Sequence, residues 1–107
     1  MADSAQQAAR RSSLSASLKE SEKFFRAGDF DQAALLAGRG YHDALEAGER
    51  RLAARFLLIL GGCRFAEHRY QEALQTYLDA RSLADAAGDR QIAGVLDFNI
   101  SSLYFQL

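Results

Sequence analysis

Residues 47–53 read AGERRLA, and residues 87–93, forty positions later, read AGDRQIA. Other residue types recur at the same spacing. Aromatic rings return at Phe25, Phe65 and Phe105, and a small residue returns at Ala33 and Ala73. Repeats of this length are typical of solenoids, in which similar units stack side by side. The repetition therefore predicts a chain built from stacked units.

The composition indicates an all-α chain. Its 107 residues contain no proline, one valine and one threonine, whereas alanine, leucine, glutamine, glutamate and arginine are abundant. These five residue types are good helix formers. A length near 100 residues is typical of a single domain.

Each forty-residue unit contains two helical stretches. In the second unit, Leu57, Leu60 and Arg64 are three and four positions apart, as on one face of a helix. Gly28 suits the residue after a helix, and Asp29 suits the following N-cap. These patterns predict helices over residues 13–27, 30–47, 50–67, 70–87 and 90–106.

The units cover residues 14–53, 54–93 and 94–107, and the third contains only a first helix. Residues 1–13 are either a frayed polar tail or an extension of the first helix. Ser4 and Gln7 have the spacing of a capping box, which favours partial helix. His68-Arg69 stands where the first unit has Gly28-Asp29, so this turn is less clearly encoded.

Charge and hydropathy argue against nucleic acid and membranes as partners. The formal net charge is −1, so no strong field attracts polyanions. The most apolar run, Phe56–Leu60, is far shorter than the roughly 20 residues of a membrane helix. The single cysteine, Cys63, cannot form an intramolecular disulfide, which favours the cytoplasm.

The sequence shows no constellation of catalytic or metal-binding residues. It lacks phosphate-binding glycine motifs and the H-E-x-x-H zinc motif. His42 and His68 lack metal-ligand spacing to each other or to Cys63, which is more typical of a packed core thiol. We therefore expect no enzymatic activity, no cofactor and no metal ion.

The second unit resembles the tetratricopeptide repeat. The resemblance rests on Leu60-Gly61, Phe65, Tyr70-Gln71-Glu72-Ala73, Tyr77 and Ala80. It extends over residues 14–107, but the period is forty rather than about 34, the terminal proline is absent, and Glu20-Ser21 replaces leucine-glycine in the first unit. The longer period resembles a long-helix variant found in kinesin light chains and bacterial signalling proteins. The resemblance implies a right-handed α-solenoid of antiparallel helix pairs with about five helices.

The resemblance also implies a protein-interaction module that binds a peptide or partner helix, as part of a larger bacterial regulatory or scaffold protein. Carried over by alignment, its binding face comprises Leu18, Glu22, Phe25, Arg55, Leu58, Gly62, Phe65, Val95, Phe98, Ser102 and Phe105. The basic residues with which some family members hold acidic C-termini are missing from the matching places, so a carboxylate clamp is not expected. The same aromatic residues could instead pack between neighbouring helices.

The last helix is apolar nearly all round, which predicts burial on more than one side. Two explanations remain open: the chain is part of a longer array, or it pairs with a second copy. The second explanation makes the chain a self-associating unit that dimerises through its C-terminal helix. The residues predicted for this contact are Leu103, Tyr104, Phe105 and Leu107.

Overall fold

A computed structural model describes the backbone of residues 2–107 and the side chains from residue 4 onward. It contains five α-helices: α1 (Ala2–Arg26), α2 (Phe30–Glu46), α3 (Arg50–Ala66), α4 (Tyr70–Ala87) and α5 (Arg90–Gln106). The all-α prediction is confirmed, and no strand occurs within residues 2–107. The open question about residues 1–13 is resolved in favour of helix from Ala2, while residue 1 lies outside the described residues.

The four junctions between the helices have one geometry. A residue with positive φ follows each helix: Gly28, Gly48, His68 or Gly88. The next backbone N–H then donates to a carbonyl five residues earlier, as from Asp29 to Phe24 over 2.9 Å. This hydrogen bond satisfies a carbonyl at the helix end, as in a Schellman motif. The repeat therefore includes the turns as well as the helices.

Each helix packs against its neighbours in sequence, and α3 also contacts α1 and α5. Two clusters of buried residues result. One is centred on α1, α2 and α3 and includes Phe56 and Cys63; the other is centred on α3, α4 and α5 and includes Tyr77 and Leu96. The first helices of successive pairs, α1, α3 and α5, therefore lie next to one another.

Aromatic rings pack against glycines where helices meet. A Cβ atom at Gly61 would lie 2.5 Å from Cε1 of Tyr77, and one at Gly62 would lie 2.8 Å from Cζ of Phe25. Phe56 blocks a Cβ atom at Gly40 in the same way. The small residues therefore provide the space that the rings fill, which maintains close packing.

The N-terminal part of α1 is attached to the turn between α2 and α3. The Gln7 side chain donates to the Ala47 carbonyl over 2.8 Å, and Arg11 pairs with Glu49 over 2.9 Å. These contacts join residues about forty positions apart. They explain why the helix continues to the start of the described chain.

Within the chain, helix α5 is buried on one face only, so burial on more than one side, by a further repeat or a second copy, stays a prediction. Ile92, Leu96 and Leu103 are buried against the preceding helices. On other parts of its surface, 72% of Phe98 and 91% of Phe105 are exposed. Among the described residues, no helix combines the length and apolar character needed to span a bilayer.

Candidate protein-binding groove

Helices α1, α3 and α5 border two adjoining depressions on one face of the molecule. Their volumes are about 280 and 230 Å³, and they share Tyr77 and Asn99. We call the two depressions together the groove. Its lining comprises Glu22, Phe25, Arg26, Leu58, Ile59, Gly62, Phe65, Tyr77, Val95, Phe98, Asn99 and Ser102.

Eight of the eleven residues expected on the binding face lie together in this groove. They are Glu22, Phe25, Leu58, Gly62, Phe65, Val95, Phe98 and Ser102. They come from three helices that are far apart in sequence, and the helix packing brings them together. The geometry therefore makes one continuous surface from positions that are scattered in the sequence.

The other three expected residues lie elsewhere. Leu18 is buried in the core and is not available to a partner. Arg55 Nη2 lies 3.7 Å from the Asp89 carboxylate, on the side of α5 where that helix begins. Phe105 projects beyond the groove, almost fully exposed.

Two aromatic rings in the groove are supported by the first residue of the following helix. Phe25 packs edge-on against Phe30, with ring centroids 5.4 Å apart. Forty residues later, Phe65 packs against Tyr70 at the same 5.4 Å. Such aromatic pairs contribute about 0.5–1.5 kcal/mol beyond the burial of their surface. The repeat therefore fixes the orientation of both rings.

The groove also contains four residues that the repeat register does not predict: Arg26, Ile59, Tyr77 and Asn99. Tyr77 belongs to α4, yet it reaches the groove because Gly61 lacks a side chain in its path. Asn99 lies one helical turn after Val95, so a wider stripe along α5 would have included it. Tyr77 could have been found only from the pairing of a large residue with a glycine.

The groove is predominantly apolar at its centre. Glu22 and Arg26 are its charged residues, and both belong to α1. Burial raises the pKa of Tyr77 to about 12, and the nearby Cys63 thiol contributes to the shift. Burial likewise raises the pKa of Cys63 to about 11, with a further contribution from Glu67 and an opposing one from Arg64. Both groups are therefore neutral near pH 7.

The main polar clusters lie away from the groove, one at the start of α5 and one between α4 and α5. Asp89 caps α5 by accepting from the Ile92 N–H over 3.2 Å, and its other oxygen lies 3.6 Å from Arg51 Nε. Arg81 donates to Asp97 and Asp85, and these hydrogen bonds raise the pKa of its guanidinium. Among the described residues, no group of three or more His, Cys, Asp or Glu side chains could hold a metal ion.

The four residues expected to mediate self-association are separated by the structure. Leu103 is fully buried in the core, so it cannot contact a second copy. Tyr104, Phe105 and Leu107 are exposed. The helix face that a partner could cover is therefore defined by other neighbours of Phe105.

Comparison with known proteins yields no assignment, since no family model, no curated protein and no solved structure matches this chain.

Proposed function

We propose that this chain is a tetratricopeptide-like interaction module whose groove binds a peptide or helix of a partner protein. The observation that carries the proposal is the convergence of Phe25, Leu58, Phe65, Val95 and Phe98 on one groove between α1, α3 and α5. Apolar grooves between helices are a common site for amphipathic segments, which insert side chains from one face. A role in a bacterial regulatory or scaffold protein in the cytoplasm forms part of the proposal.

The dimensions of the groove favour peptide side chains over a small molecule. The groove is divided into two shallow depressions of about 280 and 230 Å³ rather than one large cavity, so each can receive a single side chain. The two depressions are displaced along α3, from Leu58 and Gly62 in one to Phe65 in the other. At about 1.5 Å per residue, this displacement is close to one helical turn. A partner helix with apolar side chains four positions apart would fit both.

Selection from a displayed library of helical peptides tests the proposal. We expect enrichment of peptides with two large apolar residues about one turn apart. Phe65→Glu and, separately, Val95→Glu should weaken their binding at least about tenfold, because burying an apolar side chain contributes about 1.5–3 kcal/mol. Leu78→Glu is the matched control, since Leu78 on α4 is outside the groove and, like Phe65, 38% exposed.

Two results would contradict the proposal. One is the absence of any enriched peptide. The other is enrichment of peptides that bind Phe65→Glu and wild type equally well, since that result would locate the binding surface elsewhere. Thermal unfolding of each variant verifies that the fold is retained.

A further inference from the structure

The outermost line of α5 alternates small and large residues. Gly94, Phe98, Ser101 and Phe105 are spaced by four, three and four positions, the spacing of a coiled-coil seam. All four residues are exposed. A Cβ atom at Gly94 would find no atom within 4 Å, so the space above this glycine is open. We call these four residues the α5 seam.

The α5 seam is complementary to itself when two copies run antiparallel. Consider a two-fold axis that crosses the helix midway between Asn99 and Ile100. It would place Phe98 of each copy opposite Ser101 of the other. The same axis would place Phe105 opposite Gly94. Every ring then faces a small residue, the arrangement that allows facing layers to interdigitate. A parallel pair would instead oppose ring to ring and leave voids at the small residues.

The fold already uses this kind of contact. Tyr77 fills the space above Gly61, Phe56 the space above Gly40, and Phe25 the space above Gly62. In the forty-residue register, Gly94 and Ser101 correspond to Ala54 and Gly61 of α3, and both of those residues are buried. An aromatic ring of a second copy over Gly94 or Ser101 would therefore form between chains the ring-to-glycine contact that the chain already forms within itself.

Charge and area are compatible with a second copy. Asp97 is the one charged side chain within residues 94–107, and it pairs with Arg81 over 2.7 Å, so pairing of two copies would bury no unpaired charge there. Taking about 200 Å² for an aromatic side chain, Phe98, Tyr104 and Phe105 expose roughly 450 Å² per copy. Two copies together reach about 900 Å², which is slightly below the roughly 1,000 Å² of a specific interface and corresponds to a weak dimer.

Head-to-tail stacking lacks a comparable surface. Helix α1, at the other end of the molecule, exposes Arg10, Arg11, Lys19 and Lys23. The apolar residues that this surface exposes are alanines, none of them large, and they lie among these positive charges. A closed two-fold pair is therefore favoured over an open filament.

We infer that the chain forms a symmetric antiparallel dimer in which Phe98 and Phe105 of one copy pack onto Ser101 and Gly94 of the other. The inference does not depend on peptide binding in the groove. Because the interface is small, we expect dissociation in the micromolar range. Sedimentation equilibrium from about 1 to about 500 micromolar brackets that range.

Exchange of a large and a small residue tests the register. Phe98→Ser should weaken the dimer at least about tenfold, because each copy loses a ring. Ser101→Phe should also weaken it, because ring then opposes ring. The double variant Phe98→Ser/Ser101→Phe should recover the wild-type constant to within about threefold, because each ring again faces a serine. Both positions are exposed, so circular dichroism should show an unchanged fold.

Other outcomes overturn the inference. A wild-type chain that is monomeric throughout would mean that the α5 seam takes a different occupant. A dimer strengthened by Ser101→Phe would indicate unspecific association of apolar surfaces. A dimer that the double variant fails to restore would have another register. Since Ser101 lies outside the groove, Ser101→Phe should retain peptide binding while it loses the dimer, which separates this inference from the proposed function.

Discussion

The ring of Tyr77 lies over the backbone of Gly61, in the space that a side chain at residue 61 would need. We expect Gly61→Ala to lower the free energy of unfolding by about 1–3 kcal/mol, because the new methyl group would displace the ring. The cost of this clash is larger than the roughly 1 kcal/mol of helix propensity by which alanine is favoured over glycine. Denaturant titration measures the difference.

Two controls separate this clash from a general effect of glycine replacement. Gly38→Ala in α2 meets no neighbouring atom, so it should stabilise the chain by about 0.5–1 kcal/mol. The first unit has Ser21 and Ala37 at the positions of Gly61 and Tyr77. The double variant Gly61→Ser/Tyr77→Ala should therefore be less destabilised than the sum of its single changes. Strict additivity would show that the two residues are not coupled.

His68 has a φ of +62° at a junction where the other three turns have glycine. The left-handed conformation costs a residue with a side chain roughly 1–2 kcal/mol. His68→Gly should raise the free energy of unfolding by about 0.5–1 kcal/mol, because the exposed His68–Tyr70 hydrogen bond offsets part of the gain. Gly88→His is the reverse change and should destabilise. A loss of stability in His68→Gly would show that this hydrogen bond dominates.

Asp89 is 7% exposed and caps α5 while it faces Arg51 and Arg55. Loss of a cap costs about 1 kcal/mol, and a half-buried arginine without its carboxylate adds to that cost. We expect Asp89→Ala to destabilise by about 2–3 kcal/mol in urea titration. Asp29→Ala is the matched control, since the exposed Asp29 caps α2 with the same 3.2 Å hydrogen bond and should cost about 1 kcal/mol. Equal losses would contradict a role for the arginines.

Burial raises the pKa of the Cys63 thiol from 9.0 to about 11. Between these pH values the unfolded chain releases the thiol proton while the folded chain retains it, so stability falls as pH rises. The expected fall is about 2 kcal/mol from pH 9 to pH 11. Cys63→Ala should remove this contribution and leave the fall above about pH 10 that comes from Tyr77, whose pKa burial raises from 10.0 to about 12. An unchanged slope in Cys63→Ala would assign the fall to other groups.

The start of α1 depends on Glu49, which accepts hydrogen bonds from Gln7 and Arg11. Glu49→Ala should increase amide hydrogen exchange over residues 4–12, because these contacts hold that part of the helix to the α2–α3 turn. Exchange in α4 should be unaffected. Glu46→Ala provides the control, since Glu46 is an exposed residue at the end of α2. Equal exchange in both variants would mean that the helix persists without its anchor.

The sequence predicts the helices well because the signals are local. Glycines at residues 28, 48 and 88 end helices through their own backbone conformation, and Asp29 and Asp89 cap the next ones. The beginning of α1 could not be decided in this way. Its contacts to Ala47 and Glu49 join positions about forty apart, and no local pattern encodes them.

Eight of the expected positions lie together in the groove because the repeat register transfers positions between helices. The register does not show which neighbour each position meets. Leu18 and Leu58 occupy one column, yet Leu18 is buried in the core whereas Leu58 lines the groove. Arg55 was misplaced for a similar reason, because its partner Asp89 belongs to a turn that only the packing of α5 brings close.

Tyr41, Leu60 and Leu83 contact both buried clusters and are the apolar residues common to the two. In a stack where helices meet mainly their neighbours, the two halves unfold together only as far as the contacts between them are strong. These three side chains therefore couple the two halves, in addition to α3, which contributes buried residues to both clusters. Weakening them would allow one half to melt while the other persists, so unfolding would divide into two steps and helices would remain after the first.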